Sequence, residues 1–324
     1  MIRAAIVGLG RWGRSLVVAS LGHERIRIVR AVEPDIENAQ AFCAQHGLAL
    51  TRDLDAVLAD SGIDAVLLAT PHSLHRPQVI ACAAARKQVF CEKPLALNRA
   101  DARAMFDACR ETEVVLAVGH NRRFWPSMRA LRETVASGEL GTVLHVEGHN
   151  SNENSNGITS GWRLSPQESP GGGLTGAGLH VLDAFVSMLG PVRQVYAQLS
   201  LRDRGPPPLD TAVVALDFVN GVTGTLATVR ATPFYWRVHL FGTKGSAEVL
   251  DDYRMVLRTS SRASEEITFA PIDVLRAELG AFADAIETNA PFPVPEADVL
   301  ATLSAFEAAL QSMTSGVPVR CHGD

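Results

Sequence analysis

A short apolar run, Arg3-Ala4-Ala5-Ile6-Val7, passes directly into Gly8-Leu9-Gly10-Arg11-Trp12-Gly13, and few folds accommodate that junction. The run predicts a strand, and the apolar residues of 12–19 predict a helix immediately after the glycines. G-x-G-x-x-G between a strand and a helix makes a tight turn with a bare backbone surface, which sets the helix N-terminus against a pyrophosphate. A second predicted strand, residues 26–32, ends at Glu33, 20 residues after Gly13, where a carboxylate binds the ribose diol of an adenosine. The same acid repels a 2′-phosphate, so NAD is expected over NADP.

The alternation continues. Helices are predicted over 36–46, 54–58, 74–85 and 99–110, and apolar strands over 65–69, 88–92 and 114–118. Continuously apolar strands separated by helices indicate a parallel sheet covered on both faces, the doubly wound dinucleotide fold. Ligands bind such sheets beyond the strand C-termini. Those ends carry Thr70-Pro71-His72, Glu92-Lys93-Pro94 and Gly119-His120-Asn121-Arg122-Arg123. Pro94 stops its strand and sets the direction in which Lys93 leaves. His72 and His75 lack acidic or thiol partners at metal-binding spacing and read as loop histidines beside the cofactor or exposed.

After Arg123 the pattern changes, dividing the chain into a dinucleotide-binding domain, 1–123, and an α+β domain for substrate and oligomerisation, 124–324. A helix over 126–137 and a strand over 142–147 lead to a polar stretch, 151–173, whose Trp162-Arg163 suggests a loop that covers substrate. A glycine-rich segment then opens a helix that reaches residue 189, and on it His180 and Asp183 are three apart, on one face. Residues 192–269 read as strands, with turns at 205–208, at Asn220-Gly221 and at Lys244-Gly245. They predict a large, mainly antiparallel open sheet with helices on one face. Val213, Ala215, Val222, Leu226 and Val229 are expected on the other face, covered by a second subunit in a homodimer or homotetramer. Two helices, 273–288 and 296–315, finish the chain.

Composition narrows the partners. A net charge of −5 with 47% hydrophobic residues gives no general attraction to nucleic acid or anionic membrane, leaving small molecules and protein chains. Five scattered cysteines without a C-x-x-C pair, and a start without a long apolar signal region, suit a reducing cytoplasm and no metal.

Taken together, these residues resemble the Gfo/Idh/MocA oxidoreductase family along nearly the whole chain. The resemblance rests on Gly8-x-Gly10-x-x-Gly13, Glu33, Thr70-Pro71-x-x-x-His75, Glu92-Lys93-Pro94, Gly119-His120-Asn121-x-Arg123-Phe124, Trp162-Arg163, Gly178-x-His180-x-x-Asp183 and Gly242-Thr243-Lys244-Gly245. It implies hydride transfer between NAD(P) and a hydroxyl-bearing carbon of a sugar, inositol or related polyol. Lys93 and His180 match the catalytic positions, the lysine stabilising charge on the oxygen and the histidine exchanging its proton. Cofactor contacts fall to Gly8, Gly10, Arg11, Trp12, Gly13, Glu33, Thr70, Pro71, His75, Glu92 and Lys93. Substrate contacts fall to Lys93, Asn121, Arg123, Trp162, Arg163, Thr175, His180 and Asp183. The family commonly carries an aspartate four residues before the histidine, where this chain has Gly176, and Asp183 is the candidate to orient His180 instead. That departure motivates one alternative, a non-catalytic NAD(P)-binding regulator or sugar sensor. The superfamily adds a second, an NAD-dependent glycosidase.

Overall fold

A computed structural model describes residues 1–151, 161–203, 209–230 and 232–321. Most of the polar stretch 151–173, namely 152–160, and the expected turn at 205–208 lie outside the described residues. In chain order the first elements are β1 (Ile2–Val7), α1 (Arg11–Ser20), β2 (Ile26–Val32), α2 (Ile36–His46), β3 (Ala49–Thr51), α3 (Leu54–Leu58), β4 (Ala65–Leu68), α4 (His72–Ala84), β5 (Gln88–Glu92), α5 (Arg99–Glu111) and β6 (Leu116–Gly119). They are followed by α6 (Pro126–Ala136), β7 (Val143–Ser151), α7 (Leu179–Leu189), β8 (Val192–Asp203), β9 (Leu209–Phe218), β10 (Thr223–Val229), β11 (Tyr235–Gly242), β12 (Gly245–Val249), β13 (Arg254–Thr259) and β14 (Arg262–Thr268). Finally come α8 (Val274–Thr288), α9 (Glu296–Ser315) and β15 (Val319–Arg320).

The chain forms two compact units. The first comprises Met1–Ala96, Ala100–Asn121 and Asp273–Glu296. Its sheet is parallel, in the order β3-β2-β1-β4-β5-β6, with the strand order reversing beside β1. All four residues of β4 are fully buried, as expected of an inner strand with helices on both faces. Burying each such Val or Leu contributes about 1.5–3 kcal/mol.

Asp273–Glu296 falls in 124–324 by sequence order, yet it clusters with the first unit, and specific contacts hold it there. Asp273 caps α8 by accepting from the Arg276 N–H at 3.0 Å. Arg25 pairs with Asp284 at 2.6 Å and donates to the Gly280 carbonyl at 2.8 Å. Phe282 meets Phe90 of β5 edge-on, with ring centroids 5.8 Å apart.

The second unit comprises Leu97–Arg99, Arg122–Ile272 and Ala297–Asp324. Among the described residues its sheet has nine strands in the order β14-β13-β12-β11-β7-β10-β9-β8-β15, antiparallel except for the β7–β10 pair. Inward residues of the sheet share one core with α6, α7 and α9. The free face differs from expectation. Val213 is 54% exposed and Ala215 faces outward with it, but Leu226 and Val222 are 1% and 5% exposed and face the helices. The register explains the difference, because β10 sets Leu226 opposite inward Val214, not outward Val213.

Candidate active site

The glycine turn is built from what its residues lack. Gly8 has φ +90°, and a Cβ on it would lie 2.8 Å from the Ala69 carbonyl oxygen. A Cβ on Gly13 would lie 1.9 Å from the Gly8 oxygen. Side chains at either position are incompatible with the turn. Gly10 is different: a Cβ there would meet nothing within 4 Å. It leaves bare backbone facing open space at the start of α1, a cradle shaped for a pyrophosphate. The Glu33 carboxylate lies against this turn, accepting from the Leu9 N–H at 2.6 Å and the Asp35 N–H at 3.2 Å. Arg14 ties the turn to α2 by donating to the Leu9 carbonyl at 3.0 Å and the Asn38 carbonyl at 2.8 Å. Arg11 lies 5.4 Å from the ring centre of Trp12. The bare glycines and the adjacent acid fit an adenine dinucleotide, which Gly8, Gly10, Gly13 and Glu33 would hold.

The next strand ends are braced by a histidine. His75 is a fully buried residue of α4, contrary to the loop position expected for it. Its Nδ1 lies 2.9 Å from the Pro94 carbonyl oxygen and its Nε2 3.1 Å from the Thr70 carbonyl oxygen. Both partners accept only, so a doubly protonated ring satisfies both and a neutral ring only one. The imidazole thus straps the segment after β4 to the segment after β5. Pro71 is the N-cap of α4, and the Thr70 hydroxyl donates to Gln78 at 2.7 Å. Glu92 is buried and Lys93 half-buried.

Beneath this edge lies a group that sequence reasoning missed. Glu278 of α8 is completely buried, and neither carboxylate oxygen has a hydrogen-bond partner. Burial, with the Glu92 charge adding to it, pushes its carboxyl well above the usual range. Burial therefore favours its protonated form.

In the second unit, α7 follows a π-helical turn over Leu174–Gly178 and packs tightly on β7 at Gly148. A Cβ on Gly148 would lie 2.2 Å from Val181 and 2.6 Å from Phe185. This contact seats His180, which is 6% exposed in the first turn of α7. Thr175 is fully buried, with its hydroxyl accepting from the Gly171 N–H at 3.0 Å. Gly176 is exposed, and a Cβ there would meet nothing within 4 Å. Trp162 and Arg163 stack, 4.3 Å from guanidinium carbon to ring centre. Asn121 opens the short turn Asn121–Phe124 after β6.

Asp183 and Arg123, expected to orient His180 and to meet substrate, form a buried ion pair with each other. Arg123 donates through Nε at 2.9 Å and Nη2 at 2.6 Å to the two oxygens of Asp183, and through Nη1 to Asp298 at 2.7 Å. Burial alone pulls the Arg123 guanidinium down, but the two carboxylates outweigh it and hold it above its ordinary range. Sequence spacing shows that two residues share a helix face. It does not show which distant side chain occupies a carboxylate.

The preceding residue is the opposite case. Arg122 has no carboxylate partner among the described residues. Its guanidinium lies 4.1 Å from the ring centre of Trp236, 4.9 Å from Trp125 and 5.8 Å from Phe234. Nη1 is fully shielded without a hydrogen-bond partner, and burial lowers the group to about 9. The Arg-Arg-Phe-Trp run hinted at this arrangement. The decisive rings come from β11 and the segment before it, more than a hundred residues away.

Among the described residues no helix is long and apolar enough to cross a membrane, and no cluster of three metal-ligating side chains occurs.

Comparison with known proteins agrees with this geometry. Residues 2–120 match the family described as "Oxidoreductase family, NAD-binding Rossmann fold". Residues 128–248 match the GFO/IDH/MocA C-terminal domain. Myo-inositol 2-dehydrogenase of Thermotoga maritima is 30% identical over 75% of this chain and 74% of its own length. D-xylose 1-dehydrogenase (NADP(+)) 2 of Haloferax volcanii is 31% identical over 82% of each. A levoglucosan dehydrogenase solved with NADH and levoglucosan shares the fold, with a TM-score of 0.90, 22% identity, and coverage of 99% of this chain and 100% of its own. The chain belongs to the GFO/IDH/MocA family of NAD(P)-dependent sugar and polyol oxidoreductases, with its dinucleotide fold over residues 2–120.

Proposed function

We propose that the protein transfers a hydride between NAD and a hydroxyl-bearing carbon of a sugar, inositol or related polyol. The observation that carries this is the bare Gly10 backbone with Glu33 against the same turn, an adenine-dinucleotide cradle in a family of oxidoreductases. Bound NAD supplies the hydride acceptor. The chain supplies binding and proton handling. Glu33 favours a ribose diol over a 2′-phosphate, so NAD is preferred over NADP. The Lys93 ammonium stabilises negative charge on the reacting oxygen, and His180 takes or returns its proton. Relatives named for an inositol and a xylose substrate support the polyol class.

The free face of the nine-stranded sheet, with Val213 54% and Tyr235 51% exposed, supports a homodimer or homotetramer through that face. Five unpaired cysteines support a reducing, cytoplasmic location.

The test is NAD reduction with a panel of inositols, aldoses and sugar acids. Lys93→Ala should lower kcat by about 10²–10⁴-fold while the protein still binds NAD. An intact variant with unchanged turnover would overturn the assignment. A second reading draws support from Gly176, where the expected carboxylate is missing. Tight NAD binding without turnover on any polyol would favour a regulator that kept the cofactor site.

A further inference from the structure

Among the buried polar atoms of the second unit that have no hydrogen-bond partner in the described residues are Arg122 Nη1, Asn150 Oδ1, Thr228 Oγ1 and Trp236 Nε1; Arg132 Nη1, His239 Nε2 and Thr302 Oγ1 are others. The first four belong to neighbouring residues. Trp236 of β11 is directly opposite Asn150 of β7, and both are 1% exposed, so both face the helices. Asn150 is two residues beyond Gly148, the point at which α7 presses on the same face of β7. Its amide donates to the Ala177 carbonyl at 2.7 Å, three residues before His180. Thr228 of the neighbouring β10 reaches the same turn, its methyl 2.8 Å from where a Cβ on Gly178 would sit. Arg122 completes the group through its contact with Trp236.

The chemistry of the four is complementary to a particular ligand. An aromatic ring over a guanidinium engages its face and leaves the N–H donors at its edge unused. A buried cation without a counter-charge is costly, and a carboxylate accepting two parallel N–H bonds relieves that cost best. The indole N–H, the amide oxygen and the threonine hydroxyl offer one donor, one acceptor and one group of either kind, as adjacent sugar hydroxyls require. We propose that Arg122 recognises the carboxylate of an acidic sugar or polyol, and that Asn150, Thr228 and Trp236 bind the hydroxyls beside it. This rests on the reading of the chain as a polyol oxidoreductase and narrows its substrate to the uronic- and aldonic-acid class.

Matched pairs that differ only at the terminal carbon test it: glucose against glucuronate, and galactose against galacturonate. The wild type should show the higher kcat/KM for the acid. Arg122→Met, which keeps an apolar stem against the rings, should lower the acid-to-neutral ratio on the order of 100-fold. Arg122→Lys keeps the charge but loses the fork, so its ratio should be intermediate; it also serves if the methionine variant does not fold. Binding has its own readout, because Trp125 and Trp236 flank Arg122 and their fluorescence should respond to uronate in the wild type and not in Arg122→Met. Neutral sugars oxidised without preference for the acid, or a ratio unchanged in both variants, would overturn the proposal and leave the oxidoreductase reading intact. Uronate binding that depends on Arg122, without hydride transfer to NAD, would support the subsite and overturn the oxidoreductase reading instead.

Discussion

The turn Gly8–Gly13 and the surroundings of Arg122 and His180 are built in opposite ways. In the turn, side chains are missing: at Gly13 a Cβ would strike the Gly8 oxygen at 1.9 Å, and at Gly10 bare backbone faces open space. Around Arg122 the polar side chains of Asn150, Thr228 and Trp236 come from β7, β10 and β11, and strand register aligns them. A site made of backbone tolerates little change along one short stretch. A site made of distant side chains can be altered one group at a time, which is how one fold comes to handle many substrates.

If that contrast holds, the two regions respond differently to substitution. The largest effect belongs to Gly13→Val, which should cost about 3 kcal/mol or more in chemical denaturation and abolish NAD binding together with the fold around it. Asp183→Asn should cost about 3 kcal/mol, because it leaves half of a buried guanidinium fork unmatched, and the loss should be visible as a lower midpoint of unfolding. NAD affinity measured on the folded variant should barely change. Gly10→Ala sharpens the comparison most. Its Cβ meets no protein atom, so stability should stay within about 0.5 kcal/mol while NAD affinity, by calorimetry, falls roughly tenfold or more.

The last prediction concerns Glu278 and its pH dependence. Its pKa is raised above the ordinary 4.5, so the folded chain keeps a proton that the unfolded chain has lost. Stability should therefore fall as pH rises from about 4.5, with a limiting slope of about 1.4 kcal/mol per pH unit from this one group. Glu278→Gln has no proton to lose, and denaturation across that range should show the slope removed. A variant with an unchanged slope would mean that the carboxyl finds a partner when it ionises.

The same contrast explains what the sequence made legible. The parallel sheet, its helices and the cofactor turn follow from local spacing: apolar strands, glycines at fixed intervals, and an acid 20 residues after Gly13. The nine-stranded sheet was legible as strands, but the orientation of Leu226 depended on its pairing with Val214. The grouping of Asp273–Glu296 with the first unit rests on contacts such as Arg25–Asp284, which no local pattern announces. Arg122 and Arg123 are adjacent and chemically identical in sequence. Only the fold shows that one is matched by two aspartates and the other by aromatic rings.

Hydride transfer with Lys93 as a working group can be measured directly. Polyols carrying deuterium at the reacting carbon would be incubated with NAD and either the wild type or Lys93→Ala, and the reduced nicotinamide analysed for label. Label should appear with the wild type and form about 100-fold more slowly with a folded, NAD-binding Lys93→Ala. Label formed at the same rate by both proteins, or by neither with any sugar, inositol or sugar acid, would contradict it.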